Sequence, residues 1–251
     1  MPLVRPLCIA VGVTALVALL SYALPSDWQS TGVGLCLLGA TYFLVLSRDA
    51  VAIRQHGLSL GGVFEPVPLD ARRLAKALAV ALFWSACAAL AFFPPFWAGF
   101  VLWWQPARAF QWPPFPPLGA LLTQLLGIAV PEEMFYRGYV QTALDGAYEN
   151  KANQNKAHHH NAHHNEAHAD AHDSRLSVLG AKVGMGLLLG SAIFALGHFA
   201  TSANPARLSV FFPSLVFGWL RARTGGIGSA VLFHAACNVF SAYLTDGYFP
   251  N

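Results

Sequence analysis

Long apolar windows recur along this chain and constrain its fold more than any other feature of the sequence. About seven of them approach the roughly 20 mostly apolar residues that a helix needs to cross a bilayer. Backbone groups in lipid must bond within the protein, so helices are the expected spanning elements. The sequence therefore predicts an all-α fold, a polytopic transmembrane helical bundle with about seven to eight spans. The windows are residues 6–24, 31–47, 75–93, 118–144, 179–200, 208–221 and 226–244.

The overall composition excludes several functional classes. Hydrophobic residues make up 55% of the 251 residues and charged residues only 11%, which is typical of proteins that have the lipid bilayer as a partner. The net charge of +3 is too small to indicate a nucleic-acid partner. The four cysteines are scattered without a CxxC pair, so the sequence predicts neither a disulfide framework nor a thiolate metal site.

The amino-terminal window has two interpretations. Arg5, an apolar run and the small-x-small sequence Ser21-Tyr22-Ala23 follow the order of a cleavable signal peptide. The apolar run, however, exceeds the usual core of about 7 to 15 residues, and further spans follow at once. We therefore interpret this window as the first span.

Basic residues predict the orientation of the chain. They are concentrated between the second and third windows, whereas residues 25–30 contain none. Because positively charged loops remain in the cytoplasm, we expect a cytoplasmic amino terminus and an outside carboxyl terminus. The basic residues of this loop region are Arg48, Arg54, Arg72, Arg73 and Lys76.

The chain is predicted to divide into an amino-terminal part, 1–74, with two spans and a basic loop, and a helical core, 75–251. The core carries a His-rich loop insert at 151–175. Residues 155–174, "NKAHHHNAHHNEAHADAHDS", contain seven of the ten histidines. Imidazoles could bind metal ions, but a low-complexity tract lacks the fixed geometry of a specific site. A solvated linker is the preferred interpretation.

The stretch "PEEMFYRGY", residues 131–139, places three charges inside an apolar window. On insertion scales each costs about 2.5 to 3.5 kcal/mol at the centre of a membrane, so they must face the bundle interior and have partners. Glu133 and Arg137 are one helical turn apart and can form an ion pair within the span. Glu132 points about 100° away and is free for another role.

Two further polar groups lie in apolar windows. "FALGHFA" contains His198, and "LFHAACNVF" contains His234 and Asn238, which share one helix face. A lone intramembrane histidine often only bonds a neighbouring backbone. Together with Glu132, however, these side chains supply a base that can activate water and donors that can stabilise an oxyanion.

These motifs and their order resemble the CPBP family of intramembrane proteases, which includes the CAAX prenyl endoproteases and bacteriocin-processing enzymes. The matching strings are EExxxR at 132–137, FxxxH from Phe194 to His198, and HxxxN from His234 to Asn238. The resemblance covers about residues 118–244, and three ordered motifs are more specific than any one of them.

The resemblance implies a role for each motif residue. Glu132 would be the general base that activates a water, which His198 helps to hold. His234 and Asn238 would form the oxyanion hole. Glu133, Arg137 and Phe194 would support the site.

A metal-dependent mechanism remains an alternative. Glu132, His198 and His234 could coordinate zinc. We favour no metal or other cofactor, because the chain lacks HExxH and offers no second free carboxylate as a base.

The resemblance further implies an integral protein of the bacterial inner (plasma) membrane. Its partner would be a membrane-anchored protein or peptide substrate, cut near its carboxyl-terminal tail, and myxosortase-like sorting proteases are one such group. Two other classes remain open. One is a non-enzymatic immunity or scaffold protein of the same fold. The other is a zinc transporter, which is disfavoured because the paired HNxxD and HExxH strings are absent. The oligomeric state is not predicted.

Overall fold

The structure, a computed structural model, describes residues 3–160 and 175–250, with side chains described for 3–151 and 175–250. This part of the chain folds into eight α-helices and one short β-hairpin. The helices are α1 Val4–Ala23, α2 Ser26–Leu46, α3 Ala50–Gln55, α4 Ala71–Trp104, α5 118–160, α6 Met185–Ala200, α7 Phe211–Thr224 and α8 Gly228–Tyr248. The hairpin pairs β1, Leu176–Val178, with the antiparallel β2, Ala181–Val183. Short 3₁₀ turns cover Leu60–Gly62 and Pro205–Val210.

The predicted all-α, polytopic helical membrane fold is confirmed. Among the described residues, four helices are long and apolar enough to cross a bilayer: α1, α2, α4 and the part of α5 from Leu118 to Lys151. The window predicted at 179–200 is longer than α6, which has 16 residues, because its first residues form the hairpin. The window predicted at 208–221 is as long as α7, which has 14 residues, but it starts three residues too early, in a 3₁₀ turn.

Helix α5 runs through the centre of the bundle and contains two π-helical segments. π-Helical turns cover Thr123–Ala129 and Met134–Gln141, and the four α-helical residues Val130–Glu133 lie between them. Every residue of the second π-helical turn is buried. π-Helical insertions are often found at functional sites, because they rotate the side chains that follow relative to a regular helix.

The predicted insert at 151–175 begins inside this helix, which continues to His160. The remainder of the His-rich tract, residues 161–174, lies outside the described residues. The interpretation of that tract as a linker or as a metal-binding segment therefore stays a prediction.

Helices α6, α7 and α8 pack against the central part of α5. Helix α6 packs against α1, α5 and α7, and α8 packs against α4 and α7. Aromatic rings fill the space between them, with Phe233 of α8 edge-on to Phe217 of α7 at 5.7 Å between ring centroids. The buried core therefore surrounds the charged segment of α5.

A proline-rich strap, residues 105–117, connects α4 to α5 and is fastened to the end of α8. The Gln111 backbone N–H donates to the Gly247 carbonyl at 2.9 Å, and the Tyr243 hydroxyl donates to the Pro113 carbonyl at 3.0 Å. The strap thereby fixes one end of α5 relative to α8.

A buried carboxylate joins α3 to α4. The Glu65 side chain accepts hydrogen bonds from Arg73, from the Ser59 hydroxyl, and from Arg54 at 2.7 Å. The bonds from Arg73, then those from Ser59 and Arg54, lower the pKa of Glu65 from its ordinary 4.5 to about 2.

The hydrogen bonds to Glu65 predict that the stability of the fold depends on pH. A carboxylate with a depressed folded-state pKa stabilises the protein fully above the unfolded pKa of 4.5, and that stabilisation is lost as pH falls towards 2. We expect wild type to unfold at a higher temperature than Glu65→Gln at pH 7, with the difference shrinking below pH 4.5. Thermal unfolding in detergent at several pH values measures it. If the difference in unfolding temperature between wild type and Glu65→Gln stays constant down to the lowest pH, the ionised Glu65 carboxylate does not stabilise the fold.

Candidate active site

Glu133 and Arg137 form the ion pair that their spacing predicts. Arg137 Nε lies 3.2 Å from Glu133 Oε2, and both side chains are buried. Arg137 Nη2 also donates to Ser214 Oγ of α7 at 2.8 Å. Its guanidinium carbon lies 5.0 Å from the ring centroid of Phe194 and 5.5 Å from that of Phe217. The cation is thus held by a carboxylate, a hydroxyl and two aromatic faces.

Glu133 has a second contact that the sequence did not predict. Its Oε1 lies 2.8 Å from His234 Nδ1, and the imidazole stacks on Phe217 with ring centroids 4.7 Å apart. A carboxylate oxygen accepts, so Nδ1 of His234 carries the hydrogen and donates it to Glu133. In the neutral imidazole this leaves Nε2 as an acceptor, and Nε2 lies 3.7 Å from Glu132 Oε2.

His198 approaches the same oxygen from α6. Its Nδ1 lies 3.1 Å from the Phe194 carbonyl, which can only accept, so Nδ1 carries the hydrogen. The remaining nitrogen, Nε2, lies 4.0 Å from Glu132 Oε2. The Phe194 ring lies 4.3 Å from the imidazole and holds it in place.

Glu132 is therefore the convergence point of the cluster. Its Oε2 is buried and has no hydrogen-bond partner among the described residues. Separations of 3.7 and 4.0 Å to His234 and His198 are too long for direct hydrogen bonds but suit groups bridged by one small molecule. A water can donate one hydrogen to Glu132 Oε2 and the other to one of the two imidazole nitrogens.

Asn238 is not brought into this cluster. It follows His234 by one turn of α8 and is half-buried, and its side chain forms no hydrogen bond with the described part of the chain. The structure thus joins Glu132, Glu133, Arg137, Phe194, His198 and His234, and it places Asn238 one helical turn beyond His234.

The sequence did not predict three residues that support the site. Ser214 and Phe217 of α7 contact Arg137, and Phe217 also stacks on His234. Tyr136 lies edge-on to Phe194 at 5.0 Å. A serine and aromatic rings are common in apolar windows, so their types gave no signal of these contacts.

The donor types of the cluster would suit zinc. Glu132, His198 and His234 supply one oxygen and two Nε2 atoms, and both Nδ1–H groups are oriented by acceptors, as is usual for metal ligands. The oxygen-to-nitrogen separations of 3.7 and 4.0 Å exceed the roughly 3.3 Å that tetrahedral zinc imposes between its ligands. Within residues 3–151 and 175–250, no three metal-binding side chains meet the geometry of a metal site.

Comparison with known families assigns this cluster to a class of proteins. The family model of type II CAAX prenyl endopeptidase Rce1-like proteins matches residues 114–240 of the 251. The chain belongs to this family. The Rce1-like match contains every residue of the cluster and Asn238, and it confirms the resemblance found in the sequence. Comparisons with curated proteins and with solved structures gave no match.

Helix α1 lies outside the Rce1-like region but contacts its site. Thr14 Oγ1 lies 3.0 Å from the Tyr136 hydroxyl, in a buried contact. A Cβ on Gly197, beside His198, would lie only 2.8 Å from Thr14 Cγ2, so glycine permits this close approach of α1 and α6. Through Tyr136 and the Phe194 ring, α1 supports the position of His198.

This contact predicts coupled effects of two substitutions. Thr14→Val should lower the free energy of unfolding by about 1 to 3 kcal/mol, because it leaves the buried Tyr136 hydroxyl unpaired. Tyr136→Phe should cost less, about 1 kcal/mol, because the Thr14 hydroxyl still donates to the Ala10 carbonyl at 2.8 Å. The double variant should lose less than the sum. Unfolding of wild type, both single variants and the double variant in detergent measures this double-mutant cycle. Thr41→Val is the matched control, since the buried Thr41 hydroxyl bonds only the Leu37 carbonyl of its own helix. Strict additivity of Thr14→Val and Tyr136→Phe would refute the coupling.

Proposed function

We propose that this protein is an intramembrane endopeptidase that hydrolyses a peptide bond near the carboxyl-terminal tail of membrane-anchored or lipidated proteins. We also propose that this cleavage serves the sorting of proteins by their carboxyl-terminal tails. One observation carries it, namely that Glu132 Oε2 is buried, unbonded and faced by Nε2 of both His198 and His234. Membership of the Rce1-like endopeptidase family supports the same reaction.

Glu132 acts as the general base in this mechanism. A water donates one hydrogen to Glu132 Oε2 and the other to His198 Nε2, and its oxygen faces the substrate carbonyl carbon. As the oxygen attacks, Glu132 takes the first proton and the carbonyl becomes a tetrahedral oxyanion. Glu132 then gives that proton to the leaving amine nitrogen as the carbon–nitrogen bond breaks, which regenerates the carboxylate.

His234 stabilises the oxyanion in this proposal. Its Nδ1–H is donated to Glu133, so Nε2 can donate to an oxyanion only when the ring is an imidazolium. Asn238, one turn along α8, supplies a second donor through its amide.

We propose that no metal takes part. In the alternative, Glu132, His198 and His234 would hold zinc, which would act as a Lewis acid and make a bound water more acidic. The two mechanisms predict different responses to chelation. Activity that survives exhaustive chelation, with no zinc found in the protein, supports the metal-free mechanism. Activity lost on chelation and restored by zinc would contradict it.

The proposed setting is the bacterial inner membrane, with the amino terminus in the cytoplasm and the carboxyl terminus outside. Helices α6, α7 and α8 would join the four long apolar helices as spans, which gives seven in all. The distribution of basic residues supports this orientation.

The function is tested with the purified full-length protein in liposomes. The substrates are peptides with a hydrophobic or lipid anchor and a free carboxyl-terminal tail, and products are identified by mass spectrometry in water enriched in ¹⁸O. We expect one labelled oxygen in the new carboxylate, and no product from Glu132→Ala or His198→Ala. Absence of cleavage by wild type across the panel, or undiminished cleavage by either variant, would refute the proposal.

A further inference from the structure

Arg207 is held beside the candidate active site by the turn that follows α6. The Thr201 hydroxyl donates to the His198 carbonyl at 2.9 Å, which fastens the start of this turn to the histidine. The 3₁₀ turn Pro205–Val210 then begins at Asn204, whose side chain accepts from the Ala206 N–H at 3.0 Å. Arg207 lies in the middle of this short, capped turn.

Arg207 forms no ion pair within the described part of the chain. Its side chain is exposed, and no carboxylate of residues 3–151 or 175–250 lies within ion-pair distance. Arg54, Arg73 and Arg137, in contrast, each contact a glutamate. The turn Pro205–Val210 that carries Arg207 packs against α6, the helix of His198.

The site is most exposed at His198, near the end of α6 that leads to Arg207. The side chains of His198 and Glu132 are 19% and 14% exposed, whereas those of Glu133, Arg137 and His234 are 4% exposed or less. His198 is in the last turn of α6, directly before the segment that carries Arg207. A substrate that reaches Glu132 past His198 therefore passes this cation.

Arg207 can receive a substrate carboxylate, whereas the other cations of the site already have partners. The guanidinium of Arg137 is enclosed by Glu133, Ser214 and two aromatic rings, and the proposed imidazolium of His234 donates to Glu133 and to the oxyanion. Pairing with Arg207 also keeps the substrate carboxylate away from the carboxylates of Glu132 and Glu133.

We infer that Arg207 binds the carboxyl-terminal carboxylate of the substrate, a few residues beyond the bond that is cut. This inference rests on the proposed function. A guanidinium presents two parallel N–H donors that match the two oxygens of a carboxylate. The pairing sets the direction of the chain, with the carbonyl to be attacked at Glu132 and the departing carboxyl-terminal fragment extending towards the turn Pro205–Val210. Arg207 is thus a specificity-determining residue that selects free carboxyl termini.

The test compares two substrates with two forms of the protein in liposomes. The substrates are one anchored peptide with a free carboxyl terminus and the same peptide as a carboxyl-terminal carboxamide. Wild type should cleave the acid about 10- to 100-fold faster than the amide in kcat/KM, because a charge-assisted pair is lost in the amide. Arg207→Gln should cleave both at the rate at which wild type cleaves the amide.

Arg108→Gln is the matched control. Arg108 is also exposed and lies on the strap 105–117 at the same end of the bundle, so its replacement removes an equal charge without affecting the preference. If Arg207→Gln slows acid and amide equally, Arg207 acts only through the charge of the site, and the inference is overturned. Equal cleavage of both substrates by wild type overturns the inference alone, whereas cleavage of neither also removes the proposed function.

Discussion

Glu132→Gln is expected to lower kcat/KM for peptide cleavage by about 10²- to 10⁴-fold, the usual contribution of a general base. Glutamine has nearly the same shape but cannot accept the proton from water. The folded state should not suffer, because Glu132 Oε2 forms no hydrogen bond with the described residues whose loss would cost stability. The unfolding temperature in detergent should therefore equal or exceed that of wild type.

The matched control is Glu149→Gln, on the same helix. Glu149 pairs with Arg175 at 2.8 Å and is partly exposed, away from the cluster. This variant should retain wild-type cleavage, which is followed by mass spectrometry of the same substrate. Cleavage by Glu132→Gln at the rate of Glu149→Gln would exclude Glu132 as the base.

Local spacing predicted the features of the site that depend on one helix. The positions of Glu133 and Arg137, one turn apart, were enough to predict their ion pair, because side chains at that spacing share a face. The same reasoning separated Glu132 from the pair. Long apolar windows likewise predicted the helical membrane fold, since length and composition alone determine whether a helix can span lipid.

Contacts between helices could not be predicted in this way. The second contact of Glu133, with His234, depends on how α5 and α8 are rotated relative to each other, and the π-helical turns of α5 change that rotation. The starts of α6 and α7 were also predicted too early. Apolar residues near 179 and 208 extend the windows, but the hairpin and the 3₁₀ turn at those positions delay the helices to Met185 and Phe211.

Glu133 and Arg137 should be as important for folding as Glu132 is for catalysis. Arg137→Met leaves the Glu133 carboxylate buried without its cation and also removes the bond to Ser214. Breaking a buried ion pair by removing one partner typically costs about 3 to 5 kcal/mol, because an uncompensated charge remains. We expect a loss of that size in the free energy of unfolding, measured by chemical denaturation in detergent micelles.

The double variant Glu133→Gln/Arg137→Met separates this cost from a simple loss of packing. Replacing the carboxylate removes the uncompensated charge, so the double variant should be more stable than Arg137→Met alone. The partly exposed Glu149–Arg175 pair is the control, and Glu149→Gln should change stability by less than about 1 kcal/mol. If the double variant is instead less stable than Arg137→Met by the full effect of Glu133→Gln, the two residues act independently. In that case the role of Glu133 would lie in its bond to His234, and the ion pair would not be what stabilises the centre of α5.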